Sequence, residues 1–471
     1  MRYRRLFETP CRLRFRFRHH RLPLIGFGDN HLLSSSSSSS LPSSSSLLSS
    51  SSSEDGGGNN NYYDELRNEA QDLIEKESLK IYGSLQHTKL RRTYTNVFCD
   101  TVRAGLREKI QMRYNDNGNG ANDDNTSAAA AAAAVATKKL EADLGGIGAD
   151  QGIMPDFSNK EALYGYTLNH FGRVRLTSEL VTSKSLSEPD WLSFRVSELL
   201  SSSSSQRRNN NTDADSDDLS IASLGGGGGY DFVAFSALSE FLKGPSIKTT
   251  VYEYEPAWKD IVSDIEMVVQ DSCSSNNNNS GSGSASASGQ QQPRDHHQHL
   301  HKCGFEFGDI TSPLDASTNE AIASMVNSTE IFSCSYVIAE NAVKLQQNKF
   351  EFFRQLFSEA ADGSLFFFTE TTHRLWPDLI DLASRQDDNN SFMRYTLNRI
   401  RHGKSGWQLA LLKDSSTAGN ISFSSRSCSK SEEVRAVEKE LIERFKRDNI
   451  AHQLRIDRGW KRDEKKVRGA K

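Results

Sequence analysis

From residue 219 onward, short apolar runs alternate with amphipathic stretches. The runs fall at 219–224, 249–254, 304–307, 330–336 and 364–369. Between the second and third, AWKDIVSDIEMVVQ sets Trp258, Ile261, Val262, Ile265 and Val269 on one helical face. Between the fourth and fifth, NAVKLQQNKFEFFRQLFSEAA offers Val343, Leu345, Phe353, Leu356 and Phe357 to a core. Strand-like runs alternating with helical ones predict βαβ units on a parallel sheet. The pattern then changes. GWQLALLKD (406–414), a short polar SSTAGN and ISFSS (421–425) predict two strands joined by a turn, an antiparallel hairpin that closes the sheet.

Upstream the spacing is helical. Residues 62–113 carry apolar positions at helical intervals and no proline, which predicts two or three helices with Arg91, Arg92, Arg103 and Arg107 on their outer faces. Residues 160–200 have the same character and lie just ahead of a glycine run, placed to cover it. Other stretches cannot bury enough apolar surface to offset their ordering entropy. These are an Arg- then Ser-rich start (1–61), an Asn/Asp/Gly- and Ala-rich linker (114–159), and polar insertions at 201–218 and 273–302. The expected organisation is therefore a helical region (62–113), the linker, an α/β domain over 160–425 interrupted by the two insertions, and a charged, helical and basic tail over 426–471.

A net charge of −4 over 471 residues excludes a chain that is basic throughout. Local charge differs: 1–21 hold eight Arg and one acid, and 455–471 hold eight Lys/Arg against three acids. Such ends suit phosphate, anionic lipid or plain solvation. The six cysteines (Cys11, Cys99, Cys273, Cys303, Cys334, Cys428) form no CxxC pair, as in reduced intracellular proteins of cytoplasm or nucleus. The Arg-rich, acid-poor start followed by serines also fits an organellar transit peptide. No apolar stretch approaches the roughly 18 residues of a membrane-spanning helix, so no membrane span is expected.

The densest chemical signal is SIASLGGGGGYDFVAF (220–235). Glycine loses the most backbone entropy on folding, so five in succession after an apolar run mean either low-complexity slippage or a ligand-binding turn at a helix N-terminus. The dinucleotide fingerprint fails, because its last glycine would be Tyr230 counted from Gly225 and Phe232 counted from Gly227. The phosphate-loop pattern fails as well: GKS at 403–405 has Asn398 where its first glycine belongs. What fits is GxGxG, as Gly225, Gly227 and Gly229, with Gly226 and Gly228 as permissive filler.

With this turn, the chain resembles the class I S-adenosylmethionine-dependent methyltransferases, whose first motif is a strand ending in GxGxG. The resemblance covers about 160–425. It implies a Rossmann-like α/β sheet, mainly parallel and ending in an antiparallel hairpin, and S-adenosylmethionine as cofactor, with the glycine turn against its methionine part. It further implies an acid on the ribose hydroxyls after the second strand, where Glu253 and Glu255 stand and Glu253 is preferred. After the third strand it implies an acid for the adenine amine and an apolar residue for the ring, Asp309 and Ile310. After the fourth it implies residues lining the transfer site: Ser335, Tyr336, Glu340 and Asn341. One departure matters. The family's usual acid two residues before the first glycine is Ser223 here, so the amino end of the cofactor is expected on Asp231 or an upstream residue.

Methyl transfer from a sulfonium is a displacement on an activated carbon, so positioning supplies much of the acceleration. A base is needed only where the acceptor must lose a proton, and no universal catalytic residue is implied. Tyr336 and Glu340 are the candidate substrate-facing residues, with Tyr166, His170 and Arg173 as a candidate lid. Each also has a plain structural role open to it: core aromatic, helix N-terminal acid or solvated side chain. The absence of [DN]PP[YFW] after the fourth strand counts against the exocyclic-amine nucleic-acid methylases. Cys334 lacks the Pro-Cys setting of the C5-pyrimidine methylases and reads as a small buried residue. His296, His297, His299, His301 and Cys303 have the composition of a metal tract, but they end a Gln/Ser/Gly linker, and no metal is expected. Arg-bearing helices and a basic tail lean the substrate toward RNA; some similar eukaryotic family members methylate ribosomal RNA, including at uridine N3. Protein and small-molecule substrates stay open. So does an inactive methyltransferase-like scaffold, prompted by Ser223.

Overall fold

The apolar runs become strands where the pattern places them. The computed structural model describes residues 88–117, 123–144, 155–182, 191–201, 218–242, 244–274, 300–370, 373–384, 392–399, 407–414 and 432–469. Strands β1 (Leu219–Leu224), β2 (Ile247–Glu253), β3 (Lys302–Phe307), β4 (Ile331–Ser335) and β5 (Leu365–Thr369) pair in parallel. β6 (Phe392–Arg399) and β7 (Trp407–Asp414) pair antiparallel, and β7 also lies antiparallel to β5. The order across the sheet is β3-β2-β1-β4-β5-β7-β6, a Rossmann-like α/β sheet. The chain reverses its direction of travel between β1 and β4, so the tips of these strands open a crevice at a topological switch point.

Successive side chains of a strand point to opposite faces, and both faces are covered. Ile221 of β1 and Phe367 of β5 join a core with α1 (Thr88–Asn117), α4 (Arg173–Thr182), α6 (Tyr230–Leu242) and α7 (Lys259–Ser274). Their neighbours Ala222, Leu224, Phe366 and Phe368 join a second core with α9 (Ala342–Gln347), α10 (Glu351–Glu359), α11 (Trp376–Ser384) and Phe445 of α12 (Glu432–Gly469). The expected face of α7 is buried through Ile261, Val262, Ile265 and Val269. No helix among the described residues is long and apolar enough to cross a membrane.

Several expectations need correction. The second strand of the closing hairpin is β6, not 421–425. β7 has β5 on one side and β6 on the other, so neither of its edges is left for 421–425, which lie outside the described residues. The run FMRYTLNR alternates apolar and polar positions, with Met393 and Leu397 buried, and that period of two marks it as a strand. The Ala-rich stretch assigned to a linker forms α2 (Asp123–Leu144), which sets Thr137 and Leu140 against α3 (Lys160–His170); alanine has the highest helix propensity. Val343 is 53 % exposed, because the helix expected over 341–361 breaks at Lys349 and Phe350, both left-handed, and only α10 turns its full apolar face inward. Arg91 is 3 % exposed rather than on an outer face. Within 62–113, residues 62–87 lie outside the described part, as do most of the two insertions, at 202–217 and 275–299.

Candidate functional site

β1 runs into the glycine turn, and the turn runs into α6. Gly225, Gly227 and Gly229 have φ of +63°, +47° and +68°, a region that costs any other L-residue energy. Alternate members of the run are therefore left-handed, in the GxGxG register. The two between them are not filler. A Cβ on Gly226 would stand 2.1 Å from Ser223 Oγ, and one on Gly228 would stand 2.9 Å from Thr167 Cγ2 of α3. A Cβ on Gly229 meets nothing within 4 Å, so the turn opens to free space at that point.

Beneath the turn lies a carboxylate with three hydroxyl donors. Asp231, in the first turn of α6 and 1 % exposed, accepts from Ser223 Oγ at 2.8 Å, Ser335 Oγ at 2.9 Å and Thr177 Oγ1 at 3.1 Å. Its position at a helix N-terminus favours the negative charge. One side chain thereby links the tips of β1 and β4 to α4. Ser223 and Asp231 meet directly, so a carboxylate does stand beside position 223, contributed from eight residues downstream.

Glu253 ends β2, the neighbour of β1. Its Oε2 accepts from the Gly227 N–H at 3.1 Å and its Oε1 from the Tyr254 N–H at 3.0 Å. Desolvation pushes its pKa up to about 7, against the pull of these two donors and of the Glu255 N–H. Glu255 is used locally: it caps the 3₁₀ turn Pro256–Trp258 by accepting from the Ala257 N–H. Asp309, just past β3, accepts from the Thr311 N–H, Thr311 Oγ1 and Ser312 Oγ at 2.7–2.8 Å. Of the roughly four acceptor positions on a carboxylate, three thus close its own turn. Ile310 beside it is buried.

After β4, Tyr336 takes φ +65°, an outlier for an aromatic residue. Its N–H donates to Thr369 O of β5 at 2.8 Å, and its ring lies 4.2 Å from the Arg173 guanidinium. Arg173 is ringed by tyrosines: it donates to Tyr166 Oη at 3.0 Å and stands 5.4 Å from that ring and 5.8 Å from the Tyr230 ring. All three distances fall within cation–π range. The expected lid residues of α3 and α4 and the substrate-facing Tyr336 therefore come together around one cation. Burial raises Glu340 to about 8 against the pull of Arg173, with Glu370 and Glu253 as the like charges it senses. Burial and then Arg173 push His170 down to about 4, leaving it neutral. Glu370, which follows β5, holds the loop carrying Glu340 by accepting from the Ala339 N–H at 3.0 Å.

The histidine tract separates. His296, His297 and His299 lie outside the described residues, whereas His301 is buried beside Glu240 and Cys273. Its Nδ1 accepts from the Ile247 N–H at 3.0 Å, so Nε2 carries the proton and donates to Glu240 at 2.9 Å. A metal-bound imidazole instead donates from its second nitrogen. The His301 pairing therefore serves the start of β2. Thr177, Tyr230 and Glu370 were not among the sequence candidates; Tyr230 alone carried a local signal, as the first residue after the glycines.

The chain matches no protein-family model and no curated protein sequence. Among solved structures it is similar to a precorrin-6y C5,15-methyltransferase from Geobacter metallireducens, at 9% identity over 42% of this chain and 82% of that one, with a TM-score of 0.23. An rRNA methylase from Streptococcus thermophilus aligns at 6% identity over 42% and 89%, with a TM-score of 0.25. A magnesium protoporphyrin IX methyltransferase from Synechocystis PCC 6803, with bound SAH, aligns at 10% over 52% and 84%, with a TM-score of 0.27.

Proposed function

We propose that this chain is a methyltransferase that takes its methyl group from S-adenosylmethionine. The observation that carries the reading is the junction of the β1 and β2 tips: three left-handed glycines in GxGxG register, with Glu253 hydrogen-bonded to the middle one. The residues present fit the cofactor. Glu253 is a desolvated carboxylate reached by the backbone N–H groups of Gly227, Tyr254 and Glu255, and it keeps about one acceptor position for a ribose hydroxyl. Asp309 keeps about one acceptor position for an exocyclic amine, and Ile310 packs next to it. Asp231 is a positioning residue, since it is sealed from solvent and orients Ser223 and Ser335.

The cofactor, when bound, supplies a methyl group already activated on a sulfonium. What falls to the protein is to hold the acceptor in line and, where that acceptor carries a proton, to remove it. Glu340, raised to about 8 and set among Arg173, Glu370 and Glu253, is the group suited to take that proton once it has ionised, so transfer to such an acceptor should quicken as pH rises toward about 8. Arg173 lies on the Tyr336 ring and braces it, and the basic surface of α1, with Arg92, Arg103 and Arg107, favours RNA as substrate. Calorimetric titration of S-adenosylhomocysteine into the full chain tests the cofactor reading. We expect binding that Glu253→Ala weakens by about 10- to 100-fold. A folded wild type that binds none overturns the reading and leaves an inactive scaffold.

A further inference from the structure

α4 has two working faces. Arg173 and Thr177 turn toward the glycine turn, while Arg175, Ser178 and Glu179 turn the other way and line a cleft against α1 with Arg91, Arg92, Thr95 and Asn96. The cleft is cationic. Arg92 pairs with Glu179 at 3.4 Å and Arg175 with Asp100 at 3.2 Å, and Glu179 is the one carboxylate among the described residues that line it. Among its described lining residues are three arginines and one carboxylate, and Arg91, 3 % exposed, is held down to about 10 by its burial and by Arg92.

Two groups in this cleft point to a missing ligand. Thr95 is 3 % exposed, and its Oγ1 has no hydrogen-bond partner among the described residues; neither does the buried Nε of Arg92. Leaving such groups unpaired costs stability. An oxyanion in the cleft would accept from both.

The charge also continues along α1. Arg103 and Arg107 follow Arg92 by eleven and fifteen residues, within about 60° of the same helical face, and at about 1.5 Å per residue they extend the stripe by about 17 to 22 Å. Arg103 senses Arg107, Asp100 and Arg175, and its Nε is likewise buried without a partner among the described residues. A single phosphate cannot span that length.

We propose that the groove between α1 and α4 binds consecutive phosphates of single-stranded RNA, through Arg92, Arg175, Arg103 and Arg107, with Thr95 donating to one phosphate oxygen. This deepens the RNA reading above and rests on it for the identity of the polymer, but not on the methyl chemistry. The strand would cross the outer face of the same helix whose inner face carries Arg173.

The test is fluorescence anisotropy of the full chain with a labelled single-stranded RNA of about twelve nucleotides, a length within the usual footprint of such grooves, across a salt series. Each phosphate neutralised on a single strand contributes about 0.7 to the slope of log affinity against log salt. The combined variant Arg92→Gln, Arg103→Gln, Arg107→Gln is therefore expected to lose about 2 from the slope and at least about 30-fold in affinity at moderate salt. S-adenosylhomocysteine binding, measured in parallel, should stay unchanged. Thr95→Val separates ligand from fold: removing an unpaired buried hydroxyl should leave the melting point equal or higher while RNA binding falls about threefold. RNA binding that none of these variants alters overturns the groove and leaves the RNA reading standing. Absence of RNA binding by a wild type that still binds S-adenosylhomocysteine overturns both, and binding only to phosphatidylserine vesicles does the same.

Discussion

Asp231, in the first turn of α6, and Glu253, at the end of β2, are acids on either side of the glycine turn, and they differ in what supplies them. Asp231 is closed off, with three hydroxyl donors from three different elements. Glu253 takes only backbone donors, from Gly227, Tyr254 and Glu255, and desolvation still pushes it up to about 7. A carboxylate tied to side chains of three elements is part of the framework; one whose desolvation outweighs its backbone donors is where a ligand that donates to it gains free energy by arriving. The contrast supports a framework role for Asp231 and the proposed cofactor contact for Glu253. It also recasts the absence of an acid at 223: the charge is present, moved from the strand to the helix.

This contrast can be broken in order of size. Asp231→Ala strands three hydroxyls and should cost about 3 kcal/mol of stability, read as a lower urea midpoint with an unchanged slope. Ser223→Asp sets a second carboxylate against the first and should cost about 2.5 kcal/mol by like-charge repulsion in a desolvated site. The double change Ser223→Asp, Asp231→Ser should recover most of that loss, and a double variant no better than the sum of its singles would sink the idea of a moved charge. Glu253→Gln should reverse the pattern, with stability within about 1 kcal/mol of wild type and S-adenosylhomocysteine affinity down by about 2 kcal/mol on calorimetry.

The gentlest effect is a slope. Burial holds Glu340 up at about 8 in the folded chain, against an ordinary glutamate value of 4.5, so between the two the folded state keeps a proton that the unfolded state has lost. Its contribution to stability is present in full below about 4.5 and is lost as pH rises through about 8. Between about pH 7 and 8.5 the wild type should lose about 1 kcal/mol relative to Glu340→Gln. Parallel urea titrations at several pH values check this, and matching slopes for the two proteins would remove Glu340 from the buried cluster.

The parts legible in the sequence were those written in short windows. β1, the glycine turn and the acid after β2 each occupy fewer than a dozen residues and carry their own period or turn chemistry, and all five parallel strands fall within two residues of their expected ends. What stayed hidden depends on distant partners. Ser335 reaches Asp231 across 104 positions and Thr177 across 54, and no local pattern signals such a pairing. Arg91 follows a helical pattern that does not say which side α4 will cover. β6 does carry a period of two from Met393 to Asn398, but the signal is shorter and more polar than those of the parallel strands, and its pairing depends on β7 further along the chain.

The five glycines look like a stretch that replication could lengthen or shorten at no cost. Their backbones alternate in hand, left at the odd members and not at the even ones, so the run has a parity as well as a length. One glycine more or fewer would swap every left-handed position for its opposite, and would carry the N–H that meets Glu253 about 3.8 Å along the chain. A tract with the composition of a spacer thus serves as a ruler with five marks, and its length should be far less variable than that of the serine and asparagine runs around it.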